Sequence, residues 1–383
     1  MSENIRPFEV HFEDEALDDL RERLGRTRFP DQLDGAAWDY GTELSYLREL
    51  LEHWKNGFDW RAVEEHLNSF DNFKTDINGI DLHFIHQRSA QPDALPLIIT
   101  HGWPGSVLEF TEIIGPLTNP VAHGGDPADA FHVVCPSIPG YGLSGAPRRA
   151  GFDIRAVAAT NASLMNVLGY SHYGCQGGDW GAIASAWIGL DDAEHCAGVH
   201  LNMVVAQPPE GDDMQGLSDE ENAGLAAIAT FMEEGTGYQA IQGTRPQTLG
   251  YGLNDSPAGL AAWIVEKFQA WSDCNGDIES RFSKDRLLAN ITLYWLTGTI
   301  TSSTRLYCET RRAGRFGTLP ERIEVPTGCA IFPKELFRPP RRWAEAACNV
   351  TQWTEMPSGG HFAAMEEPEA LVEDIRSFFR PLR

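Results

Sequence analysis

The segment of this 383-residue chain with the clearest chemical potential is Gly177-Gly178-Asp179-Trp180-Gly181, between a predicted strand and a predicted helix. Small residues around a central one permit the sharp strand-to-helix turn that presents a nucleophile at the edge of a parallel sheet. Here the central residue is an aspartate. A carboxylate can attack a saturated carbon bearing a leaving group, and water can later cleave the resulting ester. The alternative is a glycine-rich turn in which Asp179 only caps the helix.

A second turn, His101 to Ser106 (HGWPGS), follows the apolar run Pro96 to Thr100 (PLIIT). A turn at this position supplies one backbone N–H of an oxyanion hole, and the residue after the nucleophile supplies the other. These rules assign the amides of Trp103 and Trp180 to the negative oxygen that forms when water attacks the ester. An ordinary β-to-α turn is the alternative.

A general base is predicted in the glycine-flanked segment Gly359 to Phe362 (GGHF), between the last predicted strand and the last predicted helix. The chain order nucleophile, acid, base then requires an acid after an earlier strand. We predict Glu335 as that acid, with Glu309 and Glu324 as alternatives in nearby segments. A lone histidine such as His361 would more often be structural, but three features in this order favour a catalytic triad.

The composition, with 42% hydrophobic and 22% charged residues, is typical of a folded globular protein. Asp and Glu (55) exceed Lys and Arg (30), which disfavours nucleic acid and anionic membranes as partners because like charges repel. Seven scattered cysteines without a C-x-x-C pair predict neither a disulfide framework nor a zinc site, and we expect no metal or organic cofactor. A polar start and the lack of a bilayer-length apolar run predict a cytoplasmic protein.

The remaining sequence indicates the elements that position these residues. Apolar residues at helical spacing predict an accessory helical layer at the start of the chain. Asn78-Gly79 predicts a hairpin, and short apolar runs alternating with helical patterns predict a mostly parallel sheet with crossover helices. An aromatic-rich stretch without strand patterns is typical of a lid over a pocket. The predicted regions are an N-terminal helical region (1–72), an α/β core (73–204), a helical lid (205–317) and the rest of the core (318–383).

Beyond these patterns, the chain resembles the epoxide hydrolase family typified by the microsomal and juvenile-hormone enzymes. The resemblance covers nearly the whole sequence and rests on long motifs. These are HGWPGS, PSIPGYGLS (Pro136 to Ser144), GGDWG, GLNDSPAGLAAW (Gly252 to Trp263), SSTRLYCE (Ser302 to Glu309), FPKE and GGHFAAMEEPE. It implies an α/β-hydrolase fold with a helical lid, and hydrolysis of an epoxide to a diol without a cofactor.

The resemblance also implies roles that spacing does not supply. Family members use two lid tyrosines to hold the epoxide oxygen and to protonate it as the ring opens. The motif match places one at Tyr307, within SSTRLYCE, and the other at Tyr238, within GTGYQAIQ, with Tyr251 and Tyr294 as competitors. The implied partner is an apolar or aryl epoxide, and a homodimer is the default assembly. Membrane-bound relatives begin with an apolar anchor, which is not seen at the start of this sequence, so membrane residence is not expected.

Two other functions compete with this interpretation. A haloalkane dehalogenase shares the fold, the aspartate nucleophile and the Asp-Trp step, but a halide leaves unprotonated and needs N–H donors. An epoxide oxygen needs an acid, and the lid tyrosine motif therefore favours an epoxide. A catalytically silent binding protein on the same scaffold is disfavoured because every expected catalytic position carries a competent residue.

Overall fold

A nine-stranded sheet runs through the part of the chain that the computed structural model describes, residues 5–317 and 319–383. Its strands are β1 (Arg6–Pro7), β2 (Asn72–Ile77), β3 (Ile80–Gln87), β4 (Leu95–Thr100), β5 (Phe131–Pro136), β6 (Tyr173–Gly177), β7 (Cys196–Leu201), β8 (Ile323–Ile331) and β9 (Cys348–Glu355). They lie in the order β1-β2-β3-β5-β4-β6-β7-β8-β9. From β5 to β9 all neighbours are parallel, whereas β1, β2 and β3 are antiparallel to theirs. The predicted α/β class with a mostly parallel sheet is confirmed.

Helices precede the sheet, cross over it and form one long insertion. Those before β2 are α1 (Asp14–Gly25), α2 (Leu44–Asn56) and α3 (Trp60–Asn68). The crossover helices are α4 (Thr111–Thr118), α5 (Ile154–Val167) and α6 (Asp179–Asp191). Between β7 and β8 lie α7 (Asp219–Thr230), α8 (Gly237–Gln242), α9 (Pro246–Leu253), α10 (Pro257–Trp271), α11 (Lys284–Thr297) and α12 (Ile300–Arg312). The last helices are α13 (Arg341–Ala347), α14 (Ala363–Glu366) and α15 (Pro368–Phe379). The insertion coincides with the predicted helical lid, whose boundaries stay a prediction.

The N-terminal helices share a hydrophobic core with the lid. Leu50 of α2 is fully buried and belongs to the same apolar cluster as Leu260 and Ile264 of α10. At the surface of this contact, the Arg23 guanidinium donates to the Asp255 carboxylate at 2.7 Å. The apolar faces of α1 and α2 are therefore covered by the lid, which agrees with their interpretation as an accessory layer.

Two local features differ from the sequence predictions. Strand β1 is not predicted, because its two residues are exposed and follow no periodic pattern; its position comes from pairing with β2. Helix α6 begins at Asp179, three residues before Ala182, where the hydrophobic pattern of the sequence by itself predicts the helix to start. The hydrophobic pattern marks where apolar burial begins, whereas the backbone starts to coil at the preceding turn.

The seven cysteines are scattered in the structure as they are in the sequence. All seven are free and buried, and they lie on several different elements.

Within residues 5–317 and 319–383, no helix combines the length and the apolar character needed to cross a membrane.

A buried leucine in α2 tests whether the N-terminal helices and the lid form one cooperative core. We expect Leu50→Ala to lower the free energy of unfolding by about 2–5 kcal/mol, because truncation leaves a cavity. Urea denaturation followed by circular dichroism and tryptophan fluorescence measures the change. The matched control is Leu33→Ala, since Leu33 is 62% exposed. A Leu50→Ala protein as stable as the control would contradict the shared core.

Candidate active site

The turn between β6 and α6 holds Asp179 in a conformation that few non-glycine residues adopt. Its φ of 48° lies in the left-handed region. A side chain at Gly181 would overlap the carbonyl oxygen of Thr100 at the end of β4, and one at Gly177 would overlap the backbone of Gly181. These two glycines therefore let α6 start against the sheet, as the strand-to-helix turn predicted from the sequence requires.

Two groups contact the Asp179 carboxylate from opposite elements. The backbone N–H of Trp103, in the turn after β4, donates to Oδ1 at 2.8 Å. The Nε2 atom of His361 lies 3.4 Å from Oδ2. The Trp180 amide lies in the first turn of α6, and its predicted place in an oxyanion hole stays a prediction.

His361 is joined on its other side to Glu335, the predicted acid. Nδ1 lies 2.8 Å from Glu335 Oε1 and 3.0 Å from Oε2. Both side chains are buried, with 5% of His361 and 3% of Glu335 exposed. The alternatives lie elsewhere: Glu309 accepts from the amide of Gly151, and Glu324 pairs with Arg322 at the surface. The structure thus brings Asp179, His361 and Glu335 together.

Two opposing effects set the pKa of His361. Burial alone would lower the pKa of the imidazole, since a charge is costly away from water. The charges of Glu335 and Asp179 outweigh burial and hold the pKa of His361 well above its usual range. The two carboxylates therefore favour the protonated imidazole, and the Asp179 part of this effect disappears when Asp179 carries no charge.

The loop that carries His361 is anchored to the lid through groups that the sequence analysis missed. The His361 amide donates to the Trp271 carbonyl at 2.9 Å, and the Gly359 amide donates to Asp273 Oδ2 at 3.1 Å. Glu366 accepts from the amides of Phe362 (3.0 Å) and Asp273 (2.7 Å), and burial raises its pKa to about 7. Glu366 lies in GGHFAAMEEPE, but periodicity gives no sign of its long-range partner.

The two predicted lid tyrosines meet the turn residues in one aromatic cluster. The Tyr238 ring stacks on Trp103 with centroids 5.2 Å apart. Tyr307 packs edge-on against Trp180 at 4.7 Å and against Trp103 at 5.8 Å. Burial raises the pKa of both hydroxyls, and the charge of Asp179 raises it further. Both tyrosines therefore stay protonated and lie within the electrostatic reach of the carboxylate.

The competing lid tyrosines occupy different surroundings. Tyr251 is 72% exposed on α9. Tyr294 is buried, but its hydroxyl donates to the Gly105 carbonyl at 2.8 Å and so supports the turn after β4. Among the described residues, the group with metal-ligand spacing is Asp192, Glu194 and His195 in the loop between α6 and β7, which is not part of this site.

Comparisons with known proteins show the family and the fold that this chain resembles. The family model "Epoxide hydrolase N terminus" matches residues 5–110, and the model "alpha/beta hydrolase fold" matches residues 96–231. A protein of Stigmatella aurantiaca is 46% identical over 99% of this chain and 86% of its own length. Epoxide hydrolase 1 of Oryctolagus cuniculus is 40% identical over 98% of this chain and 89% of its length. The crystal structure of juvenile hormone epoxide hydrolase from the silkworm Bombyx mori matches with a TM-score of 0.92 at 32% identity, covering 99% of this chain and 95% of that one.

A titration of His361 tests whether Glu335 is its partner. Glu335→Gln removes one of the two negative charges that raise the pKa of His361, so we expect that pKa to fall. The measurement is ¹⁵N NMR of histidine-labelled protein over a pH series. Glu324→Gln is the matched control, because Glu324 is a surface carboxylate. A His361 titration that Glu335→Gln leaves unchanged would speak against this acid.

Proposed function

The chain belongs to the epoxide hydrolase family, and we propose that it converts an apolar or aryl epoxide to a vicinal diol through an ester on Asp179. One observation carries the proposal. A single carboxylate lies between a backbone amide donor, from Trp103, and an imidazole, His361, that is backed by a second buried acid. This arrangement suits a nucleophile whose product is later hydrolysed with base assistance.

In the first step, Asp179 attacks one epoxide carbon. The new C–O bond is the ester bond, and the epoxide C–O bond to the same carbon breaks. Tyr238 and Tyr307 hydrogen-bond the departing oxygen, and one of them supplies its proton. Burial keeps both hydroxyls protonated, which supports this role because an ionised tyrosine could not donate.

In the second step, water attacks the ester carbonyl. His361 takes a proton from the water, and Glu335 stabilises the imidazolium that forms. Trp103 and Trp180 donate their amides to the oxyanion, and such donors are worth roughly 3 kcal/mol each. General base assistance adds on the order of 10² to 10⁴ in rate.

The aromatic groups around the carboxylate support an apolar substrate. Trp103, Tyr238, Trp271 and Tyr307 form one connected cluster of rings, with neighbouring centroids 5.2 to 6.3 Å apart. The faces of these rings offer little hydrogen bonding to a polar substituent of the substrate. An alkyl or aryl epoxide is therefore favoured over a polar one.

One observation keeps a haloalkane dehalogenase as the second candidate. The indole N–H groups of Trp103 and Trp180 are buried without a hydrogen-bond partner among the described residues, and both indoles lie next to the nucleophile turn. N–H donors would suit a departing halide. An assay for chloride and bromide release from haloalkanes separates the two functions, and we expect no release above background.

The ester mechanism is tested by a single turnover of styrene oxide in ¹⁸O-water. We expect the first diol to lack the label and the Asp179 carboxylate to acquire it, because water attacks the ester and not the epoxide. Asp179→Ala should be inactive, and His361→Ala should accumulate a covalent adduct visible by mass spectrometry. A labelled first diol would overturn the ester mechanism.

The tyrosine roles are tested in the ester-forming step. We expect Tyr238→Phe and Tyr307→Phe each to slow ester formation on the order of 10²-fold, since each removes one donor to the epoxide oxygen. Rapid-quench mass spectrometry of the adduct gives the rate. Tyr251→Phe is the matched control because Tyr251 is 72% exposed. Ester formation at the control rate in both variants would remove the tyrosines from the mechanism.

A further inference from the structure

A small cavity lies beside the catalytic carboxylate, bounded by the turn after β4, the nucleophile turn and the histidine loop. Four ionisable side chains line it: Asp179, His361, Glu109 and His101. Its volume is about 20 Å³. A buried water occupies roughly 10–15 Å³ and needs two or more polar partners. The cavity therefore has room for at least one water molecule and polar groups to bind it.

Glu109 lies in the 3₁₀ turn Val107–Phe110, just after the HGWPGS segment, and its role is not explained by the two steps above. Its carboxyl group lies against Gly105, where any added side-chain carbon would overlap Oε1. The absence of a side chain at Gly105 thus makes room for the Glu109 carboxyl at the cavity.

The surroundings of Glu109 keep it uncharged near neutral pH. Burial raises the pKa of its carboxyl to about 8, and the charge of Asp179 adds to the rise. His361 and backbone hydrogen bonds from Ser106 and Gly102 act in the opposite direction but do not cancel burial. A neutral carboxylic acid keeps a carbonyl oxygen that accepts a hydrogen bond, without placing a third negative charge beside Asp179 and Glu335.

We propose that Glu109 positions the water molecule that hydrolyses the Asp179 ester, by accepting a hydrogen bond in the cavity that Glu109 shares with His361. The inference rests on the proposed function, because it assigns a partner to the water of the second step. Glu109 is a positioning residue for that water, and it takes no part in opening the epoxide.

The water oxygen bonds to Cγ of Asp179, one water proton moves to Nε2 of His361, and the other O–H points at Glu109. The tetrahedral intermediate collapses by breaking the ester C–O bond, and the departing diol oxygen takes the proton from His361. Asp179 is left as a carboxylic acid that contains the water oxygen and the second water proton. That proton passes to the tyrosine that protonated the epoxide oxygen, which restores the Asp179 carboxylate and the neutral tyrosine, and Glu109 keeps its own proton throughout.

The two steps respond differently to changes at Glu109, which makes the inference testable in the full-length enzyme with styrene oxide. Rapid-quench mass spectrometry of the covalent adduct measures ester formation and ester decay separately. We expect Glu109→Leu to slow ester decay by about 10²-fold, because a misplaced reactant costs that much, and to change ester formation by less than about threefold. The ester should therefore accumulate in steady state.

Glu109→Gln separates a hydrogen-bonding role from a structural one. The glutamine side chain keeps a carbonyl acceptor at the same length, so ester decay should return to within about fivefold of the wild-type rate. Glu109→Ala removes the acceptor without adding bulk and should behave like Glu109→Leu if the leucine variant does not fold. Glu112→Leu, the same exchange at an exposed position of α4, is the matched control and should leave both steps unchanged.

The outcomes distinguish this inference from the function on which it rests. A wild-type enzyme that forms no ester would overturn both. Ester formation in the wild type, with decay at the wild-type rate in Glu109→Leu or Glu109→Ala, would overturn the water site alone. The positioning role would also be overturned if Glu109→Leu slowed ester formation and ester decay equally, or if ester decay in Glu109→Gln were as slow as in Glu109→Leu.

Discussion

The close approach of α6 to the end of β4 is the constraint on which the rest of the site depends. Gly181 packs directly against the Thr100 carbonyl, and this contact leaves Asp179 with its φ of 48°. A non-glycine residue in the left-handed region costs about 1–2 kcal/mol, which must be offset by the strands and helices around it. This backbone conformation places the Asp179 carboxylate close to the turn that follows β4. Because β4 and β6 are neighbours in the sheet, the Trp103 amide is within hydrogen-bonding distance of the carboxylate.

The opposite wall of the site depends on the last two strands and on the lid. Glu335 follows β8 and His361 follows β9, so the parallel pairing of these strands brings acid and base to the same sheet edge. The lid then fixes the histidine loop through the Trp271 carbonyl and the Asp273 carboxylate. The helical insertion therefore holds the loop that carries the imidazole in place.

Charge is distributed unevenly across the site. His361 lies between two carboxylates, which favour its protonated form and oppose the cost of burial. The tyrosine hydroxyls and Glu109 experience the reverse, because burial and the same negative charge disfavour their ionisation. One compact cluster therefore contains a group suited to gain a proton beside groups suited to keep theirs, which is the separation that acid–base chemistry at neutral pH requires.

Local sequence patterns are enough to predict the mostly parallel sheet, the helical insertion, the strand-to-helix turn at Asp179 and the chain order of the three polar residues. Each follows from local periodicity, from glycine placement or from chain order. Only the folded chain shows which acid meets His361: Glu335 follows β8 and contacts the imidazole, whereas Glu309 lies in α12 and Glu324 within β8. The tertiary structure also separated Tyr238 and Tyr307 from Tyr251 and Tyr294, and it revealed the partners of Glu366 and Glu109. Those contacts join segments that are far apart in the chain. The residue pattern within one segment does not specify which distant side chain or backbone group will pack against it.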